Sequence, residues 1–263
     1  MLLAKKVAVI YGAGGAVGAA VARAFAHHGA RVFLTGRRFA TVDTVAKEII
    51  AAGGIAEVAE VDALDEQAVE SHMSALVAKA GRIDISFNGV GLPQPGIQGT
   101  PLAQLASDSI SAPIAFYTRS HFLTARAAAR CMTTQKSGVI LMHTPEPARL
   151  GAPLVGGMGP AWAAMEALNR NLSAEFAVHG IRSVCIRSSG LVETKTIDVV
   201  FGLHAKTIGI PREQFQAFID GMTHRKRPST LAEVANTAAF LASDQASGMT
   251  GTVANLTGGM IVD

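Results

Sequence analysis

A group of closely spaced glycines near the start of the chain has the composition of a phosphate-binding turn. It contains Gly12, Gly14, Gly15 and Gly18. The turn follows an apolar run that begins at Val7 and precedes helix-forming residues 19–26. A strand, a glycine turn and a helix direct backbone N–H groups and the helix N-terminus toward a pyrophosphate, which glycines let approach because they lack a Cβ. A plain tight turn is the alternative, but the context favours a nucleotide.

Two adjacent arginines stand where a dinucleotide fold meets the adenosine ribose. Residues 31–34 read as a second buried strand, and Thr35-Gly36-Arg37-Arg38 follows it. At this place an acidic residue receives the 2′-hydroxyl of NAD, whereas an arginine accommodates the 2′-phosphate of NADP. Because residues 31–42 contain no Asp or Glu, Arg37 and Arg38 predict NADP over NAD. On charge alone, two solvated arginines at the start of a helix fit the pattern equally well.

Motifs spread along the chain resemble those of the short-chain dehydrogenase/reductase family. Residues 11–18 are similar to the family's TGxxxGxG motif, with Tyr11 at the threonine and Ala16 at the middle glycine. Asn88-Gly89-Val90-Gly91 is similar to the family's NNAG motif, and residues 250–259 are similar to its C-terminal end. The resemblance covers nearly the whole chain and implies the family's fold and its nicotinamide cofactor.

The resemblance also implies which residues hold the cofactor. An aspartate after the third strand contacts the adenine amine in the family, and Asp62 occupies that position here. Gly190 and Thr194 match the segment that holds the nicotinamide carboxamide, although the proline of that motif is absent. The predicted cofactor-binding residues are Gly12, Gly14, Gly15, Ala16, Val17, Gly18, Arg37, Arg38, Asp62, Ala63, Asn88, Gly89, Gly190, Val192 and Thr194.

The residues with which family members move a proton are replaced in this chain. The family uses a Tyr-x-x-x-Lys pair on one helix and a serine after the fifth strand. The resemblance puts Met158 at the tyrosine, Trp162 at the lysine and Pro145 at the serine. A thioether cannot donate a proton, an indole carries no positive charge, and proline has neither a hydroxyl nor an N–H. We therefore expect a divergent member that lacks the Ser-Tyr-Lys catalytic residues.

Another acid–base group can be assembled from nearby residues. Tyr117, near the family's asparagine position, and His121 are spaced i,i+4, so their side chains meet if both lie on one helix. A protonated His121 would favour the tyrosinate as the lysine does, and Thr144 could supply the hydroxyl lost at Pro145. Tyr117, His121 and Thr144 are thus the candidate catalytic residues. Structural packing is the alternative for each.

Three further polar residues, His143, Glu146 and Arg149, follow the fifth strand. Polar residues in a loop are usually solvated. The alternative is that the three face the cofactor cleft.

The alternation of predicted strands and helices indicates the fold that would position these residues. After the first strand, further strands are expected at residues 31–34, 55–61, 83–87, 139–142 and 181–186, with helices between them. We expect an α/β fold: a Rossmann-like doubly wound parallel sheet in three α/β/α layers, formed by a single domain over residues 1–263. Such a sheet binds its ligand at the carboxyl ends of the strands.

Some segments are expected to be irregular. Pro113 is expected to divide residues 102–132 into two helical stretches. Residues 143–159 read as a long loop, and residues 187–210 read as irregular. By contrast, Thr230 and Glu233 have the spacing of a capping box at a helix start.

Composition restricts the partners. The 263 residues are 49% hydrophobic and 16% charged with a net charge of +3, which suits one large α/β domain and hints at a homo-oligomer, a tetramer or dimer. The basic run 225–227 reads as a solvated loop rather than a nucleic-acid patch. No apolar run approaches the roughly 20 residues of a membrane span. Cys131 and Cys185 read as free thiols, which favours a cytoplasmic location. The sequence therefore predicts a small-molecule ligand, with no metal, nucleic acid or membrane.

Three classes of function remain open. The first is an NADP(H)-dependent oxidoreductase with an atypical active site, because hydride transfer itself needs only the cofactor and correct orientation. The second is a dinucleotide-binding protein without catalysis, which the replaced proton-transfer residues favour. The third is a non-redox enzyme that reuses the cleft, and the retained cofactor motifs argue against it. Residues 92–100 and 191–223 are expected to shape the substrate pocket.

Overall fold

One sheet of seven parallel strands forms the centre of the computed structural model, which describes residues 1–262. The strands are β1 (Val7–Tyr11), β2 (Arg31–Gly36), β3 (Ile55–Glu60), β4 (Ile85–Asn88), β5 (Gly138–Pro145), β6 (Ile181–Ser188) and β7 (Val253–Leu256). Their spatial order is β3-β2-β1-β4-β5-β6-β7. The order reverses beside β1, and a crevice at the carboxyl ends of β1 and β4 follows from that reversal. The predicted Rossmann-like doubly wound fold is confirmed.

Helices cover both faces of this sheet. They are α1 (Ala16–His27), α2 (Phe39–Ala51), α3 (Glu66–Ala80), α4 (Asp108–Gln135), α5 (Met158–Phe176), α6 (Lys195–Ile208), α7 (Arg212–Met222) and α8 (Leu231–Ala242). Helices α1, α2 and α8 bury their apolar residues against one face of the sheet, and α3, α4 and α5 against the other. Helices α6 and α7 form a separate small core of their own.

Local sequence signals define several helix ends. The side chain of Asp65 accepts a hydrogen bond from the N–H of Ala68 at 3.0 Å and begins α3. Gly81 ends α3 with a φ of 77°, a conformation that glycine adopts without strain. Thr230 and Glu233 form the predicted capping box at the start of α8.

Pro113 does not divide the α4 helix, so the predicted interruption is wrong. Proline removes the N–H that would have bonded to the carbonyl of Ser109. That carbonyl instead accepts the N–H of Gly157 at 3.1 Å, immediately before α5. A Cβ at Gly157 would lie 2.6 Å from the same oxygen, so only glycine allows this approach. The lost helical bond is thus replaced by a tertiary one that fixes where α5 begins.

Strands β5 and β6 extend beyond their predicted ends, because the buried and half-buried polar residues there pair with one another. The register continues to Pro145, which lies opposite Ser188. The Nε2 of His143 lies 2.9 Å from the Oγ of Ser188, and the hydroxyl of Thr144 donates to Glu166 at 2.9 Å. Polar groups that satisfy one another can be buried in a strand. Their polarity had predicted a loop for residues 143–159, and only the later part of that range is irregular.

The segment 187–210 is mostly helical, which corrects the prediction of irregular structure. Thr194 begins α6 by accepting the N–H of Ile197 at 3.2 Å, and Gly209 ends α6 with a φ of 75°. Both are helix signals that can be read in the sequence. The apolar side of α6 packs against α7 instead of the sheet, so the usual strand–helix alternation did not reveal it.

Candidate functional site

A cavity of about 430 Å³ opens at the carboxyl ends of the first four strands. The structure brings eight of the predicted cofactor residues into its lining: Gly12, Gly14, Gly15, Arg37, Arg38, Asp62, Ala63 and Gly89. Residues from four separate turns, those that follow β1, β2, β3 and β4, therefore converge where the topology predicts a ligand.

The glycine turn of this cavity is a backbone cradle. Gly12 has a φ of 73°, and a Cβ there would lie 2.8 Å from the backbone of Gly89. A Cβ at Gly18 would collide with the carbonyl of Gly12. Ala16 is exposed at the first position of α1, so its methyl group is accommodated. The N-cap Gly15 makes no side-chain bond to α1, which leaves the first N–H groups of the helix for an anion.

The two predicted arginines lie at the rim of the same cavity. Arg37 follows β2, and Arg38 is the N-cap of α2; both are exposed. On the far side, the Oδ1 of Asp62 accepts the N–H of Leu64 at 3.0 Å and holds the turn after β3. A phosphate at this rim would meet two guanidinium groups and the N-terminus of α2.

Asn88 joins the sheet to α4. Its Nδ2 donates to the hydroxyl of Thr124 at 2.9 Å, and its Oδ1 accepts the N–H of Val90 at 3.0 Å. Asn88 is buried, so it shapes the turn that lines the cavity.

Of the remaining predicted cofactor residues, Val17 lies on α1 and packs against the core on that face of the sheet, whereas Gly190, Val192 and Thr194 lie in the segment that leads into α6. A Cβ at Gly190 would lie 2.9 Å from the ring of Phe201 on α6. The hydroxyl of Thr194 donates to the carbonyl of Leu191 at 2.8 Å and also caps α6. Helix α6 therefore covers Gly190, and the Thr194 hydroxyl is engaged within the protein.

Tyr117 lies beside the cofactor cavity on α4. Its side chain is 6% exposed and its ring packs edge-on against Trp162, with centroids 6.4 Å apart. A Cβ at Gly91, which lines the cavity, would lie 3.7 Å from the Tyr117 hydroxyl. Burial raises the pKa of Tyr117, and hydrogen bonds from the Leu92 backbone and the Trp162 indole oppose that rise. The phenol oxygen thus receives two donors and has no cation beside it in these contacts.

His121 adjoins Tyr117 without activating its hydroxyl. The Nδ1 of His121 lies 3.0 Å from the backbone carbonyl oxygen of Tyr117, which can only accept a proton. Burial lowers the pKa of His121 to about 4, so the imidazole is neutral at pH 7. The expected support of a tyrosinate by a protonated His121 does not fit this arrangement.

Thr144 is committed to a buried ion pair that the sequence did not reveal. Its hydroxyl donates to Glu166, and the guanidinium of Arg187 contacts both oxygens of Glu166 at 2.8 and 2.6 Å. All three residues are buried. Thr144 therefore faces α5 and does not replace the hydroxyl missing at Pro145. The pairing of β5 with β6 and α5 creates this contact, and no sequence spacing indicates it.

The other polar residues after β5 separate in space. Arg149 is exposed, whereas burial lowers the pKa of His143 to about 4. The Oε2 of Glu146 is buried without a hydrogen-bond partner among the described residues. Burial raises the pKa of Glu146 to about 7, so part of its population is protonated at neutral pH.

Met158 and Trp162, which the sequence predicts at the positions of the family's tyrosine and lysine, form an apolar wall. Met158 is fully buried and Trp162 is 8% exposed. Both lie on the inner face of α5, one turn apart. The ring of Tyr117 on α4 packs against the Trp162 side of this wall.

A family comparison assigns the class of the protein. The model of a family described as Enoyl-(Acyl carrier protein) reductase matches residues 12–261. An uncharacterized oxidoreductase, YxbG, from Bacillus subtilis (strain 168) is 31% identical over 264 residues, covering 98% of this chain and 92% of the relative. Short chain aldehyde dehydrogenase 1 from Euphorbia lathyris is 29% identical over 247 residues, covering 94% of this chain and 84% of the relative. The chain belongs to the short-chain dehydrogenase/reductase family, whose members matched here are oxidoreductases.

Solved structures agree with the fold. The NAD+-bound xylitol dehydrogenase superposes with a TM-score of 0.93 at 24% identity, covering 98% of this chain and all 100% of that one. Levodione reductase superposes with a TM-score of 0.88 at 25% identity and 98% coverage of both chains. No helix within residues 1–262 is both long and apolar enough to cross a membrane.

Proposed function

We propose that this chain is an NADP(H)-dependent oxidoreductase that interconverts a small carbonyl compound and its alcohol through a rearranged active site. The observation that carries the proposal is the position of the Tyr117 hydroxyl, which would lie 3.7 Å from a Cβ at Gly91 in the lining of the cavity. Membership of a family of oxidoreductases supports the reaction class.

The cavity fits a dinucleotide. The Gly12–Gly18 turn and the N-terminus of α1 would hold the pyrophosphate. Asp62 and Ala63, which line the cavity, would border the adenine. Asn88 and Gly89 form the turn after β4, which would lie below it. When bound, the reduced nicotinamide supplies a hydride to the substrate carbon. Gly190, Val192 and Thr194 would border the nicotinamide, with backbone groups rather than the committed Thr194 hydroxyl as its partners.

Arg37 and Arg38 support a preference for NADP over NAD. Their guanidinium groups are exposed at the cavity rim, where the 2′-phosphate of the adenosine ribose lies in this fold. A charge-assisted bond to that phosphate contributes roughly 1.5–3 kcal/mol, which NAD cannot gain because it has no phosphate there.

Tyr117 is the proton donor in this proposal. Its hydroxyl lies beside Gly91 of the cavity lining, so its O–H would donate to a carbonyl oxygen bound there. As hydride reaches the carbonyl carbon, negative charge develops on that oxygen, and the phenol first stabilises the charge and then transfers its proton. Met158 and Trp162 exclude water from this side. His121 and Thr144, committed elsewhere, would support the geometry and not the proton transfer.

The test is turnover of NADPH with a panel of ketones, quinones and enones. The loss of reduced-nicotinamide absorbance measures that turnover. We expect turnover of at least one class, and loss of turnover in Tyr117→Phe. If the protein binds NADPH but oxidises it with none of these compounds, the proposed reaction is rejected. The surviving alternative would then be a dinucleotide-binding protein without catalysis, which the residues Pro145, Met158 and Trp162 favour.

We also propose a homo-oligomer, a dimer or tetramer, in a reducing compartment such as the cytoplasm. Among the described residues, Cys131 and Cys185 are free thiols, which fits a reducing environment. Phe122 on α4 is 46% exposed, and a second copy would cover it. Light scattering at several protein concentrations tests the assembly.

A further inference from the structure

Helices α6 and α7 form a cover with its own core. Val200, Phe201, Ala205 and Phe215 are buried against one another, apart from the two cores that flank the sheet. The cover lies over Gly190, at the nicotinamide end of the crevice. Because α6 and α7 have a hydrophobic core of their own, they can move relative to the sheet without disrupting the packing of the sheet.

A buried chain of polar side chains connects this cover to the body of the protein. The Nε2 of His204 on α6 lies 3.1 Å from the Oε1 of Gln98. The Nε2 of Gln98 donates to the Oε1 of Gln94 at 2.6 Å, and the Nε2 of Gln94 donates to the carbonyl of Leu92 at 2.6 Å. All three side chains are at least nine-tenths buried. Each amide accepts once and donates once, so the chain has a fixed direction.

The chain ends beside the catalytic candidate. The carbonyl of Leu92 accepts from Gln94, and a Cβ at the adjacent Gly91 would lie 3.7 Å from the hydroxyl of Tyr117. The neighbouring segment is also attached to α6, because the hydroxyl of Thr207 donates to the carbonyl of Gly99. Movement of α6 therefore acts on the segment that positions Leu92.

We propose that His204, Gln98 and Gln94 are positioning residues that couple the seating of α6 over the crevice to the placement of residues 91–92 beside the Tyr117 hydroxyl. When α6 is seated, the chain is complete and this segment is held beside the phenol oxygen. When α6 lifts to admit cofactor or substrate, His204 leaves Gln98 and the segment carrying Leu92 is released. The active geometry then forms only over an enclosed ligand, which keeps water from the proton-transfer step.

The argument rests on the proposed role of Tyr117, but its readout does not require turnover. Trp162 is the one tryptophan of the chain and contacts Tyr117 directly. Its emission therefore reports the packing at the tyrosine. We expect Gln98→Leu and His204→Leu to shift Trp162 emission to longer wavelength and to increase its quenching by acrylamide, as water enters.

His204→Gln provides the rescue, because a glutamine Nε2 can donate to Gln98 as the imidazole does. We expect His204→Gln to restore the wild-type emission. Where turnover is measurable, kcat should fall roughly 10-fold to 100-fold in the leucine variants with little change in the KM for NADPH, since a misplaced hydroxyl slows the reaction more than it weakens binding. His204→Gln should recover most of kcat.

Gln104→Leu and His179→Leu are matched controls, because both residues are exposed and neither takes part in the hydrogen bonds of the polar chain. Unchanged emission in folded Gln98→Leu and His204→Leu would overturn the coupling. So would equal shifts in the controls, or failure of His204→Gln to restore the emission. Absence of turnover with a changed and rescued emission would reject the proposed reaction and leave the coupling supported.

Discussion

The oxygen of Tyr117 receives two neutral hydrogen-bond donors where the family's tyrosine has a lysine beside it. Burial raises the pKa of Tyr117, and the two hydrogen bonds do not reverse that rise. The phenol therefore stays protonated through the neutral range and acts as an acid from its neutral form. Reduction should consequently show no alkaline loss of activity from this group below about pH 10.

Replacing Tyr117 with phenylalanine tests this directly. We expect Tyr117→Phe to lower kcat by about 10²-fold or more, because general acid catalysis contributes roughly 10²–10⁴-fold. The Kd for NADPH should be nearly unchanged, since the hydroxyl acts on the substrate oxygen. Stopped-flow kinetics and calorimetry measure the two quantities.

The chain's other tyrosine is the matched control. The hydroxyl of Tyr11 is buried in the sheet core without a hydrogen-bond partner among residues 1–262. Tyr11→Phe removes that unsatisfied group, so we expect unchanged kcat and a free energy of unfolding higher by about 1 kcal/mol. Equal loss of activity in the two variants would argue against a specific role for Tyr117.

Arg37 is the residue on which the cofactor preference depends most simply. We expect Arg37→Ala to weaken NADPH binding by roughly 10-fold to 100-fold, because it removes a charge-assisted bond to the 2′-phosphate. Binding of NADH should be little affected. Arg23→Ala is the control, since Arg23 is paired with Glu48 on α1 and α2, away from the cavity. Equal effects on both cofactors would contradict the assignment.

At the scale of elements, the junction of α4 and α5 sets the position of the apolar wall. Gly157 bonds to the carbonyl that Pro113 leaves free, and α5 begins at the next residue, Met158. A side chain at this position must push the two helices apart. Met158 and Trp162 would move with α5, away from Tyr117.

Gly157→Ala should therefore destabilise the protein. A Cβ there would lie 2.6 Å from the oxygen of Ser109 and 2.8 Å from the Cα of Ile110, and such overpacking costs roughly 1–3 kcal/mol. Gly202→Ala is the control, because a Cβ at Gly202 on α6 meets nothing within 4 Å and alanine is the better helix former. Urea denaturation should lower stability in the first variant and not in the second.

The elements show which sequence signals were sufficient. The apolar run into β1 and the caps at Asp65 and Thr230 are local, and the structure follows them. The unbroken α4 and the long β5 depend on partners far along the chain, such as Gly157 for Pro113. Tertiary contacts compensate there for a local signal that predicts a break.

The site divides in the same way. The residues of the glycine turn and the two arginines lie next to the strands that carry them, so motif spacing was enough to predict that they meet. The neutral state of His121 and the bond of Thr144 to Glu166 depend on burial and on α5. Sequence spacing carries no information about either, and so the predicted roles for these two residues did not fit.

At the scale of the whole molecule, buried histidines govern the dependence of stability on pH. The pKa values of His121 and His143 fall from 6.5 to about 4 on folding. Between pH 6.5 and 4 these two histidines therefore bind protons in the unfolded chain but not in the folded protein. Their contribution to the free energy of unfolding is fully present above pH 6.5 and is lost as the pH falls toward 4. The loss is up to about 1.4 kcal/mol per pH unit for each histidine.

Glu146 changes the dependence of stability on pH in the direction opposite to that of the two histidines. Its pKa rises from 4.5 to about 7 on folding, so its contribution is full below 4.5 and is lost as the pH rises through 7. We expect Glu146→Gln to change the free energy of unfolding more favourably near pH 8 than near pH 4, by on the order of 2 kcal/mol. The variant should also lose stability more steeply than the wild type as the pH falls. Urea denaturation across this range measures both. A parallel pair of profiles for wild type and variant would contradict the buried carboxyl.

The most direct measurement is a crystal structure of the protein with NADP+ bound. We expect the pyrophosphate over the Gly12–Gly18 turn, the 2′-phosphate against Arg37 or Arg38, and the Tyr117 hydroxyl within hydrogen-bond reach of a carbonyl placed at the nicotinamide C4. A crevice that stays empty at saturating NADP+, or a Tyr117 hydroxyl turned away from the nicotinamide, would contradict the central claim that this chain keeps its cofactor and moves its proton from α4.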